Sequence, residues 1–343
     1  MKFDFRTVAL IKNPSSSFGV SLGCMLAVSA ICMLASWAGA DDLVLSGQWK
    51  TTSQTGRIVI PTSFDQCLPF RKGVAAVSVA NKWGFINRLG QFVIEPIYDG
   101  VSLFDDGVAV AGIGGENGKS GLISLDGRFV VNPKFSKIIG PLDGVYAVWE
   151  TDDGPSYYID KYGHNAKAWG DLYFDGLRAV QNVDGKFGFE DREHNYKIKP
   201  QFEFAYPFEK GLAKVAKGGY GTKGPARWGF IDTNGTVVVD FQFDDVESFS
   251  EGLAAARIGD YKTGKWGFID KSGNFVVNPQ FDFVRGFNEG LAAVVIGNKT
   301  GFIDRSGNII IQPQFDSSIH HSESFSDGLS PVTVGGKCGY LSR

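Results

Sequence analysis

Residues 266–294 read WGFIDKSGNFVVNPQFDFVRGFNEGLAAV, and this stretch decides the fold. Counted from Trp266 as position zero, Gly273 falls at +7, Pro279 at +13, Phe281 at +15, Phe287 at +21 and Gly290 at +24. The frame recurs along the chain. From Trp83 it meets Gly90, Pro96, Tyr98, Phe104 and Gly107. From Trp228 it meets Gly235, Phe243, Phe249 and Gly252, with Phe241 in place of the proline. From Thr300 it meets Gly307, Pro313 and Phe315; a four-residue insertion around His320-His321 then delays Phe325 and Gly328. More worn copies open at Trp49, Ser120, Ser156 and Phe187, and a closing fragment runs from Cys338 to Arg343. A period of this size marks supersecondary units that bury their apolar faces only against neighbouring copies.

Each copy reads as three strands. Gly267–Asp270 is a short alternating strand, and Asp270-Lys271-Ser272-Gly273 is a turn, with Asp able to bond its own backbone and Gly free to take positive φ. Phe275–Val277 is a second strand, stopped at Pro279, which has no N–H for a ladder. Gly290 opens a third, with Leu291, Ala293 and Val295 on one face. After residue 41 no segment carries sustained helical periodicity. The expected core between copies is Trp83, Trp228 and Trp266 with Phe243, Phe281, Phe315, Phe249 and Phe287. The alternative is that the tryptophans are exposed stacking platforms for sugars.

The pattern K-W-G-F-I-D…G…I-x-P-x-F-D…F-x-x-G-L-A-x-V resembles the WG-repeat (KWG) family of bacterial proteins, over nearly all of residues 49–343. The resemblance implies an exported or envelope β-repeat protein and no particular biochemical activity. The copies at 120 and 156 depart most from the pattern.

The two ends are in complementary phase. The first good strand, Arg57–Ile60, is of the second kind, and the last, Gly339–Ser342, is of the first kind. Counted that way, the chain holds eight whole three-stranded units. That phase favours a propeller-like closed toroid; the alternative is an open β-solenoid, for which polar capping copies are expected. In a ring the first and last copies are neighbours. This suggests a disulfide between Cys67, at the position Val246 and Val284 fill in theirs, and Cys338, which stands where a tryptophan is due. The alternative is two unrelated buried thiols.

The N-terminus reads as a targeting segment. Lys2, Arg6 and Lys12 precede an apolar run from Phe18 to Trp37, and Ala38-Gly39-Ala40 supplies small residues for cleavage before Asp41. A signal helix over residues 1–40, removed to release residues 41–343 into the periplasm or outside the cell, is expected; the other reading is an uncleaved anchor, the only membrane contact foreseen. Export to an oxidising compartment also permits a disulfide. Composition agrees with an all-β chain: 45 Gly and 28 Phe among 343 residues, and only 13 Pro. Without residues 1–40 the chain carries 31 basic and 36 acidic side chains, a balance that offers phosphate backbones nothing and excludes nucleic acid as a partner.

No catalytic, cofactor or metal constellation emerges, and no cofactor is expected. Four histidines, at 164, 194, 320 and 321, lack zinc-ligand spacing. Gly114–Ser120 resembles a phosphate loop, but Ile113 stands where the first glycine belongs and a strand, not a helix, follows. Asp105-Asp106, Asp152-Asp153 and Asp244-Asp245 would suit glycoside hydrolysis only if they faced one another in a cleft. The loops before each Trp vary most: Gly112–Lys119, Lys217–Arg227 and Arg257–Lys265. The expected function is non-catalytic binding of a protein or envelope glycan through such loops. The alternatives are a glycan hydrolase with rim carboxylates and a structural envelope spacer. Protein purified from the exported fraction is expected to begin at Asp41; N-terminal sequencing that returns Met1 defeats the cleavage assignment.

Overall fold

The computed structural model describes residues 56–142, 144–166, 173–219, 224–317 and 323–343. The signal segment 1–40, Trp49 and the pair His320-His321 lie outside these residues. The described chain is all β apart from one 3₁₀ turn, Gly115–Asn117, and its strands form small antiparallel sheets. No helix among the described residues is long and apolar enough to cross a membrane.

In chain order, sheet I spans residues 66–98, II 100–135, III 137–159, IV 178–202, V 204–243, VI 245–281 and VII 283–316. Sheet VI is typical: Asp245–Val246, Ala254–Ile258, Lys265–Ile269 and Phe275–Phe281 pair in that order. We call these the short, Leu-Ala, Trp and Pro strands. The sequence led us to expect three strands per unit; the short strand makes a fourth. In sheet VI it holds two residues, of which only Val246 is buried, too little for an alternating pattern to register. Among the described residues, sheets III and IV show three strands each.

The Trp-Gly signature follows from a bulge. Trp266 pairs with Phe281 and Phe268 with Val277, so Gly267 alone faces three residues centred on Pro279. Sheet I repeats this, Trp83 pairing with Tyr98 and Phe85 with Ile94. The bulged strand turns a carbonyl toward the glycine: a Cβ on Gly84 would lie 2.5 Å from Ile94 O, and one on Gly301 2.6 Å from Ile311 O. Proline is tolerated at +13 because the bulge has already broken the ladder there. The following turn is held by a side chain: Asp270 Oδ1 accepts the N–H groups of Ser272 at 2.8 Å and Asn274 at 3.0 Å.

The apolar clusters lie between sheets. Trp266, Phe268, Val277 and Phe281 of sheet VI pack with Val284, Phe287, Val294 and Ile303 of sheet VII. Equivalent clusters join I to II, II to III, IV to V, V to VI, and VII to the sheet that follows it. The turn glycines at +7 also approach the branched side chain at +11 of the copy before: Gly90 meets Ile60, Gly127 meets Ile94, Gly235 meets Ile198 and Gly307 meets Val277.

That following sheet, VIII, is made from both chain ends. Leu329–Val334 and Lys337–Ser342 are joined on the far side by Ile58–Phe64, with Ile58 opposite Leu341, Ile60 opposite Tyr340 and Phe64 opposite Cys338. A single residue pair, Asp316 with Thr333, ties VIII to VII in one ladder. Sheet VIII packs on sheet I through Ile60, Phe64, Phe70, Val77 and Tyr340. Gly56 meets Ile311 as the other turn glycines meet their neighbours. Replacement Gly84→Ala is expected to destabilise the protein by roughly 1–3 kcal/mol, the usual range for overpacking, read as a lower denaturant midpoint; an unchanged midpoint rejects the bulge account.

Candidate functional site

Trp83 and Trp266 are buried, at 2% and 8% exposure, as are Phe243, Phe281, Phe315 and Phe287; Phe249 is partly buried within the V–VI cluster. Trp228 is half-buried. Sequence reasoning passed over the aromatic at +2, which stacks close to the one at +21: Phe85 with Phe104, Phe230 with Phe249, and Phe268 with Phe287, at 4.7, 4.7 and 4.6 Å between ring centres.

A charged clip recurs at one end of the sheets. The basic residue before position zero pairs with the acid at +16: Lys82 with Asp99, Lys265 with Asp282, Lys299 with Asp316 at 2.6 Å and Arg227 with Asp244 at 2.7 Å. The second carboxylate oxygen accepts a backbone N–H from the turn between the Leu-Ala and Trp strands: Gly115 to Asp99 at 2.9 Å, Gly259 to Asp244 at 2.8 Å, Gly297 to Asp282 at 2.7 Å and Gly335 to Asp316 at 2.7 Å. The signal was in the sequence all along, as the Lys of K-W and the Asp of F-D.

The chain ends use the same parts. Lys337 pairs with Asp65, whose other oxygen accepts the Ala80 N–H at 2.7 Å. Cys338 at position zero and Cys67 at +18 form a disulfide, with Cα atoms 6.0 Å apart across a sequence separation of 271. In sheets VI and VII those two positions are Trp266 and Val284, which share a cluster, so the bond replaces an ordinary intersheet contact. Tyr340 donates its hydroxyl to Leu68 O at 2.8 Å, and the Gly73 N–H donates to Asp327 Oδ2 at 2.7 Å. Burial drives the Tyr340 phenol well above its ordinary range.

The variable loops lie directly on the clips. In sheets I, VII and VIII the connection is a two-residue turn with positive φ at both residues: Ala80-Asn81, Gly297-Asn298 and Gly335-Gly336. Sheet II replaces it by the 3₁₀ turn, and sheet VI by a loop in which Asp260 Oδ1 accepts from Lys262 N–H at 2.7 Å and Thr263 N–H at 3.0 Å. Part of the sheet V loop, 220–223, is outside the described residues. This end of the sheets, where charged clips carry loops of unequal length, is the candidate site.

The paired carboxylates have other partners. Asp244 holds Arg227 and Gly259, while Asp245 lies 3.3 Å from Arg257. Asp106 pairs with Lys161 at 2.6 Å, at the turn that precedes the Leu-Ala strand. The phosphate-loop-like residues run from the 3₁₀ turn into the strand Lys119–Ser124. Among the described residues no three His, Cys, Asp or Glu side chains cluster as a metal site.

The model of the WG containing repeat matches residues 53–83, 83–116, 187–220, 228–261, 266–299 and 301–338, more than half of the chain. The chain belongs to the WG-repeat family. The matches skip the copies at 120 and 156. No curated protein matches the sequence. Among solved structures, BamB from Moraxella catarrhalis is similar at 12% identity and a TM-score of 0.45, covering 82% of this WG-repeat chain and 99% of its own. The β-propeller domain of the Trilobed protease from Pyrococcus furiosus is similar at 10% identity and a TM-score of 0.42, covering 74% and 99%.

Two measurements check the clips and the seam. Lys265 first, and then the Gly297 N–H, hold the Asp282 carboxyl below its ordinary value; Lys337 does the same for Asp65, over the opposing effect of burial. Each group's folded value lies below its unfolded one, so its stabilisation is complete above about pH 5 and is lost as pH falls through the unfolded and then the folded value. Urea midpoints are expected to drop between pH 5 and pH 3, and Asp282→Asn to flatten part of that drop. Thiol counting under denaturing, non-reducing conditions is expected to find none free among Cys67 and Cys338; replacing both with Val is expected to lower stability by up to about 5 kcal/mol.

Proposed function

We propose that this protein is an exported, non-catalytic binding scaffold whose sheets close into a propeller-like ring and whose loop-bearing rim holds a protein or glycan of the cell envelope. The observation that carries the reading is the identity of the contacts at the two ends with those inside the array. Gly56 on Ile311 copies Gly90 on Ile60. Asp327 to Gly73 copies Glu251 to Gly290 and Glu289 to Gly328, each donated N–H meeting the acid of the preceding copy at 2.7, 3.0 and 3.0 Å. A seam made from the same parts as every other junction is what a closed ring needs, and an open solenoid would leave these groups to solvent at its ends. Within such a ring the clips fix the base of each rim loop, so the loops can differ without disturbing the sheets. Rigid sheets carrying unequal loops on one rim suit recognition. The amino-terminal apolar run before Ala38-Gly39-Ala40 and the disulfide fit delivery to the periplasm or the exterior.

The test uses the exported chain as bait for envelope material, sacculi and solubilised envelope proteins separately. A rim-trimmed variant replaces the loops at 114–118 and 259–264 with the Gly-Asn turn of residues 297–298. Saturable retention on one of the two materials, weakened at least tenfold in the variant at unchanged thermal midpoint, is expected. Equal retention by the variant, retention on neither, or release of reducing ends from sacculi overturns the reading.

A further inference from the structure

One junction breaks the repeat's own rule. The residue paired with the +2 position is small or compact in seven sheets: Ala76, Val110, Ala147, Ala179, Ala255, Ala293 and Pro331. In sheet V it is Lys214, paired with Phe230. Its side chain is only 11% exposed, and its ammonium lies 3.1 Å from Val246 O and 3.3 Å from Glu247 Oε2 of sheet VI. The same ammonium sits 4.3 Å from the Tyr206 ring centre and 6.0 Å from that of Trp228.

The aromatic side chains beside it are also out of pattern. Across sheet V, Phe204, Ala216, Trp228 and Phe243 form one register row. In sheet VI the same row reads Asp245, Arg257, Trp266 and Phe281, and the Arg257 guanidinium, 5.7 Å from the Trp266 ring centre, helps close that indole off. In sheet V Ala216 stands in the place of Arg257, and among the described residues the Lys214 ammonium lies 6.0 Å from the Trp228 ring centre. Phe204 stacks on Trp228 at 5.8 Å and 24°, and Tyr206 lies against it at 5.9 Å while remaining 49% exposed. Trp228 is half-buried where Trp83 and Trp266 are buried.

We infer that Tyr206, Trp228, Lys214 and Glu247 form a binding site for a neutral saccharide, an inference that rests on the glycan branch of the proposed function and places it beside the sheet V loop, outside the two loops that the rim-trimmed variant replaces. A pyranose ring has an apolar C–H face and a periphery of hydroxyls. Its recognition needs an aromatic face with fixed donors and acceptors beside it, and an aromatic with a polar tip supplies both. Here the rings supply the face, the Lys214 ammonium is a donor, and the Glu247 carboxylate, whose side chain is 52% exposed, is an acceptor. The two charges cancel, and Asp245 with Arg257 next to them cancel as well. The site therefore offers no net field to a phosphate or carboxylate, which selects an uncharged sugar over an anionic one.

The test is titration of the exported chain with cellotriose, maltotriose and chitotriose, followed by indole fluorescence and calorimetry. Saturable binding of at least one trisaccharide is expected, weakened at least tenfold by Tyr206→Ala and at least fivefold by Lys214→Met. Tyr196→Ala, an exposed aromatic on sheet IV, is expected to leave it unchanged. Near-ultraviolet circular dichroism and thermal midpoints check that the variants fold. Absence of saturable binding by all three sugars, or equal affinity in Tyr206→Ala, overturns the site. The rim reading fails separately: it falls if the rim-trimmed variant keeps its envelope retention, and stands if Tyr206→Ala binds sugar as well as the parent while trimming abolishes retention.

Discussion

No sheet in this protein can bury its own apolar face. Each presents the aromatics at 0, +2 and +15 on one side and small residues with the +18 side chain on the other, and the two sides meet only between consecutive copies. Everything else serves that junction. The glycine at +1 makes room for the bulge, and the bulge brings +2 opposite +11 while position zero stays opposite +15. Trp, Phe and Phe thus converge on one face from two strands. The turn glycine at +7, with φ near +80°, then meets the +11 side chain of the neighbour with no Cβ in the way.

A chain built on such junctions has a difficulty at its ends, where one face on each side lacks a neighbour. Here the last copy contributes two strands and the first contributes the third, so the terminal sheet is completed by chain from both ends. Ladder pairing, the Lys337–Asp65 clip, the Tyr340 hydroxyl and the disulfide all act at that one place. The first two are ordinary repeat interactions made between the chain ends; the hydroxyl is added at a +2 position that is Phe85, Phe230, Phe268 and Phe302 in other copies, and the disulfide brings Cys67 to a +18 position that is Val246 and Val284 elsewhere. A covalent bond fits that position because a Trp–Val contact and a cystine both fill space between sheets, while the cystine also closes a covalent loop across a sequence separation of 271.

The sequence made the strands, the turns and the aromatic frame legible, because side chains with a fixed offset from Trp266 recur at the same offset from Trp83 and Trp228. It also located Cys67 and Cys338 at facing repeat positions. It hid the short strand, since one buried residue such as Val246 between Asp245 and Glu247 has no period. The clip was visible as K-W and F-D, yet its partners lie seventeen residues apart and meet only through the fold. The unusual group at sheet V was hidden for a different reason: Lys214 lies in a stretch, LAKVAK, that reads as an ordinary half-exposed strand until the register puts Phe230 beside it and the next sheet over it.

Departures from the frame are where physical specialisation is to be sought, and they are of two kinds. At sheet IV, Glu190 stands at the +3 position that Ile231, Ile269 and Ile303 fill elsewhere; it pairs with Arg178 and with His194 at 2.9 Å. Arg178 and Arg192 both face the Tyr173 ring at 5.5 Å. There an apolar face has become polar, and the side chains answer one another within the sheet. At sheet V the change goes the other way: a cation has entered an apolar face, reached across to the next sheet for Glu247, and left two aromatic rings turned partly to solvent. The first arrangement pairs its charges within the sheet. The second leaves uncovered aromatic surface at a junction where every other aspect of the fold works to cover it, and retained exposure of that kind makes physical sense when something else does the covering.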